Sequence, residues 1–208
     1  MRNTMIRLKN KLTHPFNGVR GLWYKHFNRW KFRFLGVELG FDSDIRNKVY
    51  LQIEEDATVS IGDHFALYSG DNLSPFCHNT YASICVYPHA HLSIGHHSGM
   101  SGGMIWATDS ITIGNYVNIG GNCSIIDGDI HNLSWQQRRK DRQEVIPYNK
   151  AAIVIEDDVL IGANCNILKG VHIGARSILG AGSVVTKDIP ADCIAAGNPC
   201  RIIKSSVL

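Results

Sequence analysis

From Ile155 onward an aliphatic residue returns at every sixth position, at Ile155, Ile161, Ile167, Ile173, Leu179 and Val185, with no slip of register. Four residues after each of the first five stands a small or slim residue, Val159, Cys165, Val171, Ser177 and Ser183. Glycine follows the aliphatic position at Gly162, Gly174 and Gly180. The same phase runs upstream through Ile113, Ile119 and Ile125, with Val117 and Cys123 between them. It is looser at Val49, Ile61 and Leu67, with Ile53, Val59 and Phe65, and residues 94–107 carry it with one extra residue. A helix would space its apolar positions by three and four, and plain strand alternation would not hold glycine at a fixed phase of six. The pattern predicts short flat strands joined by turns that glycine makes at low steric cost, stacked so that equivalent residues lie above one another. One coil cannot bury its own inner face, so stability must come from stacking about six or seven coils, counting three hexads to a coil. The expected fold class is all-β, a parallel β-helix.

Residues 126–152 abandon the phase, which resumes at Ile155. This excursion opens with Asp127, Gly128, Asp129, Ile130 and His131 and continues through Trp135, Arg138, Arg139, Lys140, Asp141 and Arg142. The aliphatic columns are scaffold, so chemistry is expected where the repeat breaks, and a long loop in a compact repeat is usually functional.

The period over residues 49–204, the DGDIH segment ending at His131, and the stretches Gly180-Ala-Gly-Ser-Val-Val-Thr-Lys-Asp-Ile-Pro190 and Ala196-Gly-Asn-Pro-Cys-Arg201 together resemble the hexapeptide-repeat acetyltransferases. The likeness is to sugar and polysaccharide O-acetyltransferases of the galactoside, maltose and colanic-acid type. It implies a left hand for the helix, a homotrimer with sites between subunits, acetyl-CoA as co-substrate, no required metal, and a sugar or glycan acceptor in bacterial surface-polysaccharide synthesis. By position, His131 resembles the family's catalytic base, a role suited to imidazole chemistry near neutrality. Backbone N–H groups of the turn at Ala163 would hold the oxyanion, and Asp127 or Asp129 would orient the imidazole. Ala163, Ala181, Thr186, Lys187 and Arg201 match the cofactor groove, the small residues beside the pantetheine arm and the cations beside the phosphates. Leu160 departs from the Trp that related enzymes often carry there, and residues 101–106 show no clear counterpart of the galactoside enzyme's acceptor residues.

Three other readings remain. One is N-acetylation of an amino sugar. Another is a zinc β-helix of the carbonic anhydrase kind, prompted by His89, His91, His96 and His97 and by the five-residue separation of His91 and His96. The last is a non-enzymatic scaffold.

Charge is lopsided. Residues 1–37 contain nine Lys or Arg and no acid before Glu38, although the whole chain has a formal net charge of only +3, too little to argue for nucleic acid. The same stretch holds Phe16, Trp23, Tyr24, Phe27, Trp30, Phe32 and Phe34. It is expected either to cap the first coil or to rest on an anionic membrane surface, and both roles are compatible. Six cysteines without CxxC or zinc-ligand spacing indicate reduced thiols. No signal-peptide or membrane-spanning apolar run is present. The expected location is therefore cytoplasmic, at the inner face of the membrane. The expected organisation is a segment 1–47, a β-helix domain 48–190 with its loop 126–152, and a tail 191–208 that contributes to CoA binding.

Overall fold

A computed structural model describes residues 15–70, 80–140 and 148–205. Arg2, Arg7, Lys9, Lys11, Cys77, Asp141 and Arg142 lie outside the described residues. The chain winds into a three-sided prism. The first sheet contains Glu38–Leu39, Thr58–Ile61, His91–Ile94, Ser110–Ile113, Ile153–Ile155 and His172–Ile173. The second contains Asp44–Arg46, Ala66–Tyr68, Gly99–Ser101, Asn118–Ile119, Leu160–Ile161, Ile178–Leu179 and Ile194–Ala196, and is closed by the antiparallel strand Arg201–Lys204. The third contains Val49–Ile53, Ala82–Val86, Met104–Ala107, Ser124–Ile126, Asn166–Leu168 and Val184–Val185.

The hexads stack as the periodicity predicts. Ile113 lies opposite Ile155 and Ile155 opposite Ile173. Ile119, Ile161 and Leu179 form a second column and Ile125, Ile167 and Val185 a third. All nine side chains are buried. The slim series sits inside the edges between sheets, where room is short. There Ser177 and Ser183 each donate to the carbonyl three residues back, at Gly174 and Gly180, so both of these buried hydroxyls have acceptors.

Glycine acts differently from the expectation. The left-handed position of the turn is filled by residues such as Asn164 (φ 59°) and Arg176 (φ 59°). Gly162, two residues before Asn164, is needed for close approach: a Cβ there would lie 2.5 Å from the Ala181 nitrogen one coil away. The looser upstream phase also has a cause. Residues 69–81 form a second interruption between the second and third sheets, and 71–79 of it lie outside the described residues. The last coil continues through the buried Cys193 and Ala195 before the chain reverses at a cis Asn198–Pro199 peptide.

Helix α1 (Pro15–Phe34) closes the open end of the prism. The first coil has no neighbour on one side, so its outward-pointing carbonyls need donors. The Asn28 amide donates to Ile45 O at 3.0 Å and Asn47 O at 2.8 Å, Arg29 to Ser43 O at 2.8 Å, Lys31 to Val49 O at 2.8 Å and Arg33 to Leu39 O at 3.3 Å. Phe32, fully buried, seals the core beneath them. Burial, and secondarily Lys48, pushes the Lys31 ammonium below the usual lysine value. Arg29, Lys31 and Arg33 thus serve as an edge cap. Asn28→Ala removes two buried hydrogen bonds and is expected to cost about 1–3 kcal/mol. Urea unfolding of the two proteins at equal concentration measures it.

Candidate functional site

The long excursion leaves from the edge between the third and first sheets, and its entry is pinned to the coils on both sides. Asp127 is fully buried. Its carboxylate accepts from the Thr108 N–H (2.6 Å), the Thr108 hydroxyl (2.8 Å) and the Asp109 N–H (2.8 Å). Gly128 must be glycine, because a Cβ would lie 2.4 Å from the Thr108 hydroxyl oxygen. Asp129 pairs through its backbone with Tyr148 in both directions, at 2.8 and 2.9 Å. Its carboxylate takes the Lys169 ammonium from the following coil and the Asn149 amide at 2.9 Å. Lys169 first, and Asn149 second, hold the Asp129 carboxyl below the usual carboxylate range.

His131 follows, exposed at the start of the outer loop. Just beyond it, Asn132 accepts the Ser134 N–H at 2.9 Å, while Arg138 of the short helix α2 (Trp135–Lys140) donates to the Asn132 and Leu133 carbonyls at 2.8 and 2.7 Å. The histidine is clamped on both sides, and among the described residues its ring makes no hydrogen bond. The two carboxylates that sequence reading set beside it are engaged elsewhere, Asp127 with Thr108 and Asp109 and Asp129 with Lys169 and Asn149. Lys169, Thr108 and Asn149 escaped the sequence reading. Their partners are 40, 19 and 20 residues away, and no local spacing marks them.

The residues matched to the cofactor groove fall on two edges. Ala163 and Ala181 occupy consecutive turns of the edge between the second and third sheets, near which Arg201 pairs with Ala196. Thr186 and Lys187 lie on the edge between the third and first sheets, which also carries Lys169 and the His131 loop. A single chain therefore divides the set.

The edges also differ in their turn amides. Between the first and second sheets, side chains from neighbouring coils accept the turn N–H groups: Asp63 for Phe41, His96 for Asp63, Asn115 for His96, Asp157 for Asn115 and Glu156 for Ala175. Between the second and third sheets, the corresponding N–H groups of Ala163 and Ala181 meet no acceptor among the described residues. The flanking Gly120, Gly162 and Gly180 keep that edge thin. A slender chain bearing amide carbonyls, or an oxyanion, fits such bare donors.

Two grooves mark the outer faces. One of about 670 Å³ is lined by Glu38, Ser60, Asp63, Ser93, His96 and Asn115 on the first sheet, where the turn donors are already satisfied. The other, about 250 Å³, crosses the second sheet past Tyr68, Ser101, Asn118 and Leu160 to Gly120, which packs on the open Ala163 turn. The smaller one abuts the bare donors and is the better site by chemistry. Of the four clustered histidines, His91 bonds Thr58, His96 accepts from the Asp63 N–H at 3.0 Å, and His97 stacks between His64 and Tyr116 at 4.7 and 4.8 Å. His89, on a turn with φ 61°, lies 3.9 Å from the Asp56 carboxylate. Among the described residues no three His, Cys, Asp or Glu side chains converge as a metal site.

A family profile described as the hexapeptide repeat of succinyl-transferase matches residues 152–187. A 2,3,4,5-tetrahydropyridine-2,6-dicarboxylate N-acetyltransferase of Staphylococcus aureus is 50% identical over 60 residues, 29% of this chain and 25% of that protein. The galactoside O-acetyltransferase of Lactococcus lactis subsp. lactis is 39% identical over 112 residues, 54% of this chain and 51% of the enzyme. The chain thus spans a quarter to a half of these curated relatives. A solved hexapeptide-repeat containing acetyltransferase of Vibrio cholerae is 36% identical, with 59% of this chain and 70% of that one covered and a TM-score of 0.50. Its complex with acetyl coenzyme A aligns over 94% of this chain and 87% of that one, at 25% identity and a TM-score of 0.57.

Asp127→Ala strands three donors at the root of the loop and is expected to cost on the order of 3 kcal/mol. Thermal unfolding checks the loss, and hydrogen exchange at Thr108 and Asp109 should show those amides opening.

Proposed function

The chain belongs to the hexapeptide-repeat acetyltransferases, whose left-handed parallel β-helix it shares, and from that premise we propose that it moves acetyl from acetyl-CoA to a sugar hydroxyl. The observation that carries the reading is the pairing of a bare-donor edge at Ala163 and Ala181 with a clamped, unbonded histidine on a different edge. The likeness to a galactoside O-acetyltransferase extends over about half of both chains, against about a quarter of each for the N-acetyltransferase, and supports the choice of a hydroxyl acceptor. Binding of acetyl coenzyme A by the Vibrio cholerae relative supports the donor. The proposed setting is bacterial surface-glycan synthesis in the cytoplasm, at the inner face of the membrane.

Acetyl-CoA supplies the activated thioester. Ala163 and Ala181 present their N–H groups to the pantetheine arm and the reacting carbonyl, on an edge kept thin by the close packing of Gly162 and Gly180 on the next coil. Lys187, Thr186 and Arg201, all exposed, meet the CoA phosphates. His131 accepts the proton of the acceptor hydroxyl as its oxygen bonds the acetyl carbon. The C–S bond then breaks and the proton passes to the departing thiolate, giving the acetyl ester and CoA. Asp127 and Asp129 serve this step by holding the loop, through Thr108 and Lys169. The acceptor is assigned to the groove past Ser101 and Asn118.

Because the two halves lie on separate edges, the site is proposed to form between chains of a homotrimer, with His131 of one chain facing the Ala163 edge of the next. His131→Ala is expected to lower kcat on the order of 10²- to 10⁴-fold with KM for acetyl-CoA nearly unchanged. Thiol release from acetyl-CoA over a panel of nucleotide sugars, oligosaccharides and lipid-linked glycans measures it, and wild-type turnover in that variant would contradict the mechanism. Lys169→Met frees the loop and is expected to lower kcat up to about 100-fold, again with little change in KM. Lys169→Arg should retain most of the activity in the same assay.

A further inference from the structure

Helix α1 has a second face that the cap does not use. Trp23, Phe27, Trp30 and Phe34 follow a 4-3-4 spacing that aligns them in one stripe. Their rings touch in sequence, with centroids 4.8, 5.8 and 5.1 Å apart. They remain 56%, 37%, 57% and 72% exposed. At about 100° per residue the stripe lies roughly 150° around the helix from the inward Asn28 and Phe32. The stripe cannot turn inward, because the Asn28, Arg29, Lys31 and Arg33 bonds to the first coil fix the helix. A contiguous row of two tryptophans and two phenylalanines held facing water is a docking surface.

Charge identifies the occupant. Of the nine cations in residues 1–37, Lys25, Arg29, Lys31 and Arg33 are engaged with Asp42 or with first-coil carbonyls. The other five, Arg2, Arg7, Lys9, Lys11 and Arg20, precede the stripe in sequence, with no acid among them. A surface that is apolar within and anionic at its boundary suits both features, and Trp favours that boundary. Among the described residues no helix is long and apolar enough to cross a bilayer, and the contact proposed is with its surface.

We propose that the Trp23-Phe27-Trp30-Phe34 stripe docks the enzyme on an anionic phospholipid bilayer, with the prism seated on its capped end. This gives the membrane-face placement proposed above a defined surface, and it is independent of the acetyl-transfer chemistry. The full chain should float with phosphatidylglycerol/phosphatidylcholine vesicles at low salt, at least tenfold more than with phosphatidylcholine alone. Tryptophan emission should shift to the blue on addition of the anionic vesicles. Trp23→Ser/Trp30→Ser should lose both responses while keeping its circular dichroism spectrum and its transfer rate to a soluble acceptor. Wild-type protein that stays unbound, or a double variant that floats as well as wild type, overturns the proposal. So does a change of sedimentation coefficient in the variant without loss of lipid binding, which would assign the stripe to a protein contact. An absence of acetyl transfer by the wild type would defeat the enzymatic reading and leave the flotation result standing.

Discussion

Everything in this molecule depends on vertical register. Parallel pairing places each inward aliphatic on its copy one coil away, so Ile119, Ile161 and Leu179 bury one another as no isolated coil could. Close stacking leaves no room for a Cβ at Gly120, Gly162 or Gly174. It also leaves a free row of carbonyls at the first coil, which the side chains of helix α1 cover. The glycines and the basic helix answer the same constraint from inside and from the end of the prism.

Rigidity along the axis lets edges specialise. One edge is closed by a relay of Asp, His and Asn side chains accepting turn amides from coil to coil. Another carries Gly and Ala at its turns and, among the described residues, leaves the Ala163 and Ala181 amides without an acceptor. The third releases the chain into its long excursion, with a buried aspartate and an aspartate–lysine pair returning the loop to fixed neighbours. The bare Ala163 and Ala181 amides and the proposed base His131 lie on separate edges, and that separation is why the site is proposed to form between chains.

Much of this was legible in the chain itself. Six-residue periodicity announced the coil, and its failure after Ile125 located the loop. The DGDIH segment contained the histidine and both aspartates. What stayed hidden was contact across coils: Lys169 reaching Asp129 over 40 residues, or Thr108 meeting Asp127 over 19. A repeat turns large sequence separations into adjacent rungs, and no short-range rule ranks one outward lysine above another. Charge counting likewise could not tell that Lys25, Arg29, Lys31 and Arg33 cap carbonyls or pair with Asp42.

A crystal structure with CoA bound tests the central claim most directly. The account predicts the pantetheine arm along the Ala163–Ala181 edge, its sulfur within reach of His131 from an adjoining chain and an acetyl-carbonyl position facing the Ala163 N–H. Pantetheine bound on another edge, or a sulfur remote from His131 of every chain in the assembly, would contradict it.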